Sequence, residues 1–251
     1  MKRPPFETIA LVLQGGGALG AYQAGVYEGL HEAGIEPDWA AGISIGAINA
    51  ALIAGNPRER RIERLHAFWE TVTAPALLPA TPAGWSDWVE RTMPAARTAI
   101  GYVEATRALL EGQRGFFVPR VPPPLGTSGA PPERLSWYDT APLRATLERL
   151  VDFDRINHPG SARLTVSAVD VASGNFDLFD SRVGPWAGRI DARHVMASGA
   201  LPPGFAAVPI DGRYYWDGGL VSNTPLSAVS RRGSASSTAD SGVFDTRPPS
   251  Q

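Results

Sequence analysis

The sequence predicts an α/β fold, a three-layer α/β/α arrangement around a mostly parallel sheet. Two observations predict it. Short apolar runs of strand length alternate with segments of helical period, in the order strand, helix, strand, helix. The first two runs each end in a glycine-framed loop that opens a helix, as crossovers of a parallel sheet do. The chain of 251 residues suits one such domain, with ample length for a buried core.

Thr8 to Leu13 is a continuous apolar run and reads as the first strand. After the glycine loop, Leu19, Tyr22, Val26 and Leu30 recur at helical spacing, and Gly34 sits where a helix cap belongs. Asp38 to Ile43 is a second short strand. Ile45, Ile48 and Leu52 mark a second helix, closed by Gly55-Asn56-Pro57, and Arg58 to Thr73 a third with Ile62, Leu65 and Trp69 on one face. From residue 74 to 132 proline and glycine become dense, Trp85 and Trp88 lie close together, and Phe116-Phe117-Val118 precedes a run of prolines. This segment reads as a loop-rich insertion or cap, with some helix around Val103 to Leu110, that touches lipid or shields a site. Pro142 to Val151 is a helix. Arg163 to Val171 and Phe176 to Phe179 form a hairpin across Ala172-Ser173-Gly174-Asn175. A short helix over Asp191 to Ala200 is broken by Leu201-Pro202-Pro203-Gly204, and Arg213 to Trp216 is a last strand. Residues 1–229 therefore read as one domain. Residues 230–251, rich in Ser, Gly, Pro and Arg without periodicity, read as a disordered or aberrant tail.

Composition excludes several classes. Lys and Arg number 23 against 25 Asp and Glu, so no basic surplus points to nucleic acid. The chain has no cysteine, which removes disulfides, thiolate metal sites and cysteine nucleophiles. No histidine cluster has metal-ligand spacing, and no cofactor is expected. The apolar run behind Met1-Lys2-Arg3-Pro4-Pro5 is too short for a signal-peptide core, and no run approaches a transmembrane span. The expectation is a cytoplasmic protein that touches a membrane only peripherally.

Two loops carry the chemistry. Gly42-Ile43-Ser44-Ile45-Gly46 stands between a strand and a helix, where small flanking residues let the backbone double back and lift a serine hydroxyl out as nucleophile. Gly15-Gly16-Gly17-Ala18-Leu19-Gly20 offers backbone N–H groups to an oxyanion. The same loop fits a dinucleotide fingerprint, Gly15-x-Gly17-x-x-Gly20, with Glu36 or Asp38 placed to meet a ribose. The acyl-transfer reading uses both loops and the dinucleotide reading only one. Asp217-Gly218-Gly219 follows the strand Tyr214-Tyr215-Trp216. On its own it signals a turn, but its carboxylate would leave a strand end, where α/β sheets place ligands. The four histidines, His31, His66, His158 and His194, read as structural. Asp170 and His194 could complete a triad in the α/β-hydrolase order, yet Ser44 comes too early in the chain for that fold.

At these residues the chain resembles the patatin-like phospholipases, whose pattern is a glycine-rich loop, a G-x-S-x-G elbow and a distant D-G-[GA]. Ala197-Ser198-Gly199-Ala200-Leu201-Pro202-Pro203-Gly204-Phe205 also resembles a stretch preceding the aspartate in that family. The resemblance spans residue 8 to about 226. It implies hydrolysis of lipid or phospholipid esters by a Ser-Asp dyad without histidine. Ser44 would be the nucleophile, Asp217 the base, and the amides around Gly15, Gly16 and Gly17 the oxyanion hole, framed by the motif glycines Gly20, Gly42, Gly46, Gly218 and Gly219. Two departures stand out. Leu19 lies where many members carry Lys or Arg, and the chain gives way to residues 230–251 where members continue with strand and helix. The latter suggests a shortened form, with an inactive acyl-binding relic as an alternative.

Overall fold

The computed structural model describes residues 6–74, 105–124 and 131–224. The elements are β1 (Ala10–Leu13), α1 (Gly20–Glu32), β2 (Trp39–Gly42), α2 (Ile45–Ala54), α3 (Arg61–Thr73), a helical segment α4 over residues 105–111, β3 (Val118–Pro119), β4 (Tyr138–Asp139), α5 (Ala141–Leu150), α6 (Phe153–Asn157), β5 (Arg163–Asp170), β6 (Phe176–Asp180), α7 (Ala192–Ser198), β7 (Val208–Ile210) and β8 (Arg213–Asp217). Trp85, Trp88 and residues 230–251 lie outside the described residues, as does the start of the helix expected near Val103.

The main sheet runs β1-β2-β5-β8-β7, with β6 also on β5. The pairs β1/β2 and β2/β5 are parallel, as the strand–helix alternation predicts. The pairs β5/β6, β5/β8 and β7/β8 are antiparallel, so the described sheet is mixed. The cause is local. The turns after Asp170 and at Asp211-Gly212 are too short for a crossover and fold each strand back on its neighbour. Helices α1, α2, α3, α5 and α7 touch one another in a continuous chain of contacts, which places them in one layer on one face of the sheet. That face contributes Ala40, Leu164, Val166 and Ala168 to the core.

Helix α2 is the centre of this layer. All ten of its residues are buried, and nine of them carry no polar side-chain atom. Burying side chains such as Ile48, Leu52 and Ile53 stabilises the fold by about 1.5–3 kcal/mol each. Helix α1 corrects the sequence pattern. Its buried face is Gly20, Ala24 and Tyr27, whereas Leu19, Tyr22 and Val26 face solvent. Its first turn is small on the inner side because α1 packs closely on α2 and α3 there. A Cβ on Gly20 would stand 2.4 Å from the Ile45 side chain and 2.7 Å from the Trp69 ring.

The topology brings two distant loops together. Residues 165–169 of β5 pair with β6 along one edge. The other edge is shared end to end. β2 occupies it up to the Gly42–Val166 pair, and β8, running the opposite way, up to the Asp217–Ala168 pair. The C-terminal ends of β2 and β8 therefore meet across Ser167, and the residues that follow them, Ser44 and Gly218, emerge at one place.

Candidate active site

Ser44 sits one residue beyond Ile43 at the N-terminus of α2, with φ 55° and ψ −126°. A non-glycine residue at such a φ is strained, and the surroundings must hold it there. They do so in three ways. The Ser44 amide donates to both the carbonyl and the Oγ of Ser198, each at 3.0 Å. A Cβ on Gly42 would stand 2.2 Å from the Gly46 carbonyl oxygen, so the elbow can double back only without one. A Cβ on Gly46 would stand 2.3 Å from the Leu13 carbonyl oxygen, so this glycine lets α2 press against the end of β1, where the glycine loop begins.

Asp217 closes β8 and is 3% exposed. Its amide donates to the Ala200 carbonyl, and its Oδ1 accepts the Gly219 N–H at 2.7 Å. Burial pushes its pKa up, while hydrogen bonds from the Gly219 amide and the Ser44 hydroxyl pull it back. The Ser44 hydroxyl is thus close enough to act on the Asp217 carboxylate, although the two residues follow different strands. Gly218 fits tightly under this corner, since a Cβ there would be 2.6 Å from the Ser167 carbonyl oxygen.

The glycine loop adjoins Ser44. Gly16 and Gly17 adopt φ 155° and 58°, and among the described residues their amides have no acceptor. Gly15 differs from expectation. Its N–H donates to the Asn223 carbonyl at 3.2 Å and its carbonyl accepts from Asn223 Nδ2 at 3.4 Å. An amide already donating to protein is not free for an oxyanion, so the available pair is Gly16 and Gly17. A Cβ on Gly15 would fall 2.3 Å from Asn223 Oδ1 and displace that side chain.

Ser44, Asp217, Gly15, Gly16, Gly17 and Gly219 all line one cavity of about 550 Å³. Most of the remaining wall is apolar, with Ile48, Trp69, Val72, Phe116, Phe117 and Phe205, and Thr73, Gln113 and Asn223 add polar groups. The described part of the 74–132 insertion thus supplies a wall of the site. Phe117 packs edge-on against Tyr138 with ring centres 4.7 Å apart and lies 5.3 Å from Phe205. Sequence reasoning missed Asn223, Trp69 and the role of the Phe116-Phe117 pair. The available signal was a cluster of bulky rings in a segment with no strand or helix of its own to bury them.

The rival assignments lose their groups. His194 is buried away from the cavity. Its Nδ1 accepts the Asp191 amide in the capping box of α7, and its ring packs against Phe179 and Trp186. Asp170 accepts from the amide and hydroxyl of Ser173. Glu36, a candidate ribose partner, is held by Tyr27, Arg61, Arg58 and His31, and Asp38 accepts the Ile9 amide. No carboxylate in the expected place is left for a dinucleotide.

A family model described as patatin-like phospholipase matches residues 11–230. The chain belongs to the patatin-like phospholipase family. A 48-residue stretch is 55% identical to lysophospholipase nte1 of Aspergillus terreus, covering 19% of this chain and 3% of that protein. The crystal structure of VipD from Legionella pneumophila aligns with a TM-score of 0.43 at 18% identity, over 87% of this chain and 47% of that one. The chain thus spans less than half the length of either relative. No helix among the described residues of this patatin-like chain is long and apolar enough to cross a membrane.

Proposed function

We propose that this chain hydrolyses carboxyl esters of lipids through Ser44 and Asp217. One observation carries the reading: a serine held at a forbidding φ and a buried carboxylate line the same largely apolar cavity beside the glycine loop. The Ser44 Oγ attacks the ester carbonyl carbon while Asp217 takes the hydroxyl proton. The carbonyl π-pair moves to oxygen, and the oxyanion is held by the Gly16 and Gly17 amides. Each such donor is worth about 3–4 kcal/mol. Collapse expels the alcohol, which leaves with the proton from Asp217, and the acyl group stays on Ser44. Water then attacks the acyl-enzyme, gives its proton to Asp217 and releases the fatty acid, and the proton returns to Ser44. A carboxylate is a weak base for an alcohol. Burial strengthens it by making ionised Asp217 gain more from accepting a proton.

A fatty acyl chain suits the apolar wall, and the exposed Leu19, Leu201 and Leu220 beside the cavity support contact with a lipid surface. Labelling with a fluorophosphonate, followed by mass spectrometry of the digest, tests the reading. The expected adduct is on Ser44 alone, lost in Ser44→Ala together with turnover of p-nitrophenyl butyrate. A label on another serine of active protein, with Ser44 clean, would end the proposal.

A further inference from the structure

Asn49 is the one polar side chain in the wholly buried helix α2, five residues beyond Ser44. A lone carboxamide in such a place is costly unless its hydrogen bonds are met. They are met in a directed chain. Trp69 Nε1 donates to Asn49 Oδ1 at 3.2 Å. Asn49 Nδ2 donates to the Gly20 carbonyl at 2.9 Å and to Gln23 Oε1 at 3.0 Å. Gln23 Nε2 donates to the Gln14 carbonyl at 2.8 Å. The direction is fixed at both ends, because an indole nitrogen only donates and a carbonyl only accepts. Neither amide can flip without breaking the chain.

The two carbonyls at the end of this relay are Gln14 and Gly20, which bracket the glycine loop. Gly16 and Gly17, with their unengaged amides, lie between them. At its other end the relay starts on Trp69, which lines the apolar wall of the cavity. Resting on the reading above, we propose that Asn49 and Gln23 are positioning residues: a carboxamide relay pins both ends of the glycine loop to the nucleophile helix, so that the Gly16 and Gly17 amides point where the oxyanion forms. Neither residue touches the reacting atoms. Their effect passes through the loop.

The positioning role is tested with Gln23→Glu and Asn49→Leu. Gln23→Glu keeps the acceptor for Asn49 and replaces the donor to Gln14 by a repelling oxygen. Asn49→Leu keeps the volume and removes the relay. For each, kcat and KM on p-nitrophenyl butyrate are measured beside hydrogen exchange of the peptide covering residues 14–20. The expected result is a fall in kcat of about tenfold, equivalent to about 1.4 kcal/mol, with KM within about twofold. Exchange in the loop should quicken while that of α2 in Gln23→Glu stays as in the parent. Should Asn49→Leu fail to fold, Gln23→Glu decides alone. Unchanged kcat and unchanged loop exchange in Gln23→Glu would overturn the proposal, and so would a kcat loss without the exchange change. A parent protein with no Ser44-dependent turnover would sink the hydrolase reading instead, and loop exchange would still decide whether the relay holds the loop.

Discussion

At the scale of single residues, Asp217 carries two opposed duties. Burial raises its pKa above the ordinary 3.8, so the folded chain holds this proton more tightly than the unfolded chain does. The sign follows from linkage. Between 3.8 and the raised value folding takes up a proton, so this group's contribution to stability falls as pH rises through that window. At neutral pH the ionised, buried carboxylate is a cost to the fold and an asset to the chemistry. Asp217→Asn separates the two. It keeps the acceptor for the Gly219 amide and removes the charge and the base. Turnover should fall by about 10²–10⁴-fold, while the thermal midpoint at pH 7 stays level or rises. In the parent, kcat should decline as pH drops through the raised pKa. A variant that keeps near-parent turnover would make Asp217 a turn residue, and a marked loss of midpoint would contradict the burial argument.

At the scale of elements, the elbow works because β2, α2 and the end of β1 approach more closely than side chains allow. Gly46→Ala must push α2 off the Leu13 carbonyl, 2.3 Å from the new Cβ. A cost of about 1–3 kcal/mol is expected from such overpacking, read as a lower urea midpoint and as loss of phosphonate labelling. Gly29→Ala provides the contrast. Gly29 lies within α1 with nothing within 4 Å of an added Cβ, so alanine should stabilise by about 0.5–1 kcal/mol. Equal effects at the two positions would mean that the elbow has slack. The same contrast explains what was legible beforehand. The three motifs announce their turns because Gly and Asp report local backbone needs, and the hairpin across residues 172–175 follows from alternation and a turn. Strand β7 was not legible, since Val208–Ile210 has three residues and a proline in its middle. The helical spacing of Leu19, Tyr22 and Val26 locates α1 but does not mark its buried face. The inner face is Gly20, Ala24 and Tyr27, where close packing requires a small residue at Gly20 and Tyr27 fills the core. Asn223 and Gln23 could not be found from sequence, since polar amides in loops or on helix surfaces carry no periodic signal.

At the scale of the whole molecule, the end-to-end meeting of β2 and β8 on one edge of β5 puts the site at a sheet end, and some of the exposed apolar residues lie at the cavity or along the adjoining helix α1. Tyr22 is 76% exposed and Leu19 65%, and Val26 continues their stripe along α1. Leu201 lines the cavity, and Leu220 follows Gly219, which does too. Helix α1 contains no lysine or arginine. A face of this kind would meet lipid by burying apolar side chains and not by attracting anionic head groups. Each large side chain that enters an apolar phase contributes about 1.5–3 kcal/mol, and every 1.4 kcal/mol is about tenfold in affinity. The double variant Tyr22→Asp, Val26→Asp should therefore lose vesicle binding by tenfold or more in sedimentation with phosphatidylcholine vesicles. Its turnover of p-nitrophenyl butyrate should stay within about twofold of the parent, because neither residue lines the cavity. Binding by the parent should be alike on zwitterionic and anionic vesicles and should survive ~0.5 M salt, at which exposed charges are screened within a few ångströms. Binding that needs anionic lipid and disappears in salt would assign the contact to charge elsewhere on the chain, and a double variant that binds as the parent does would remove α1 from the lipid-facing surface.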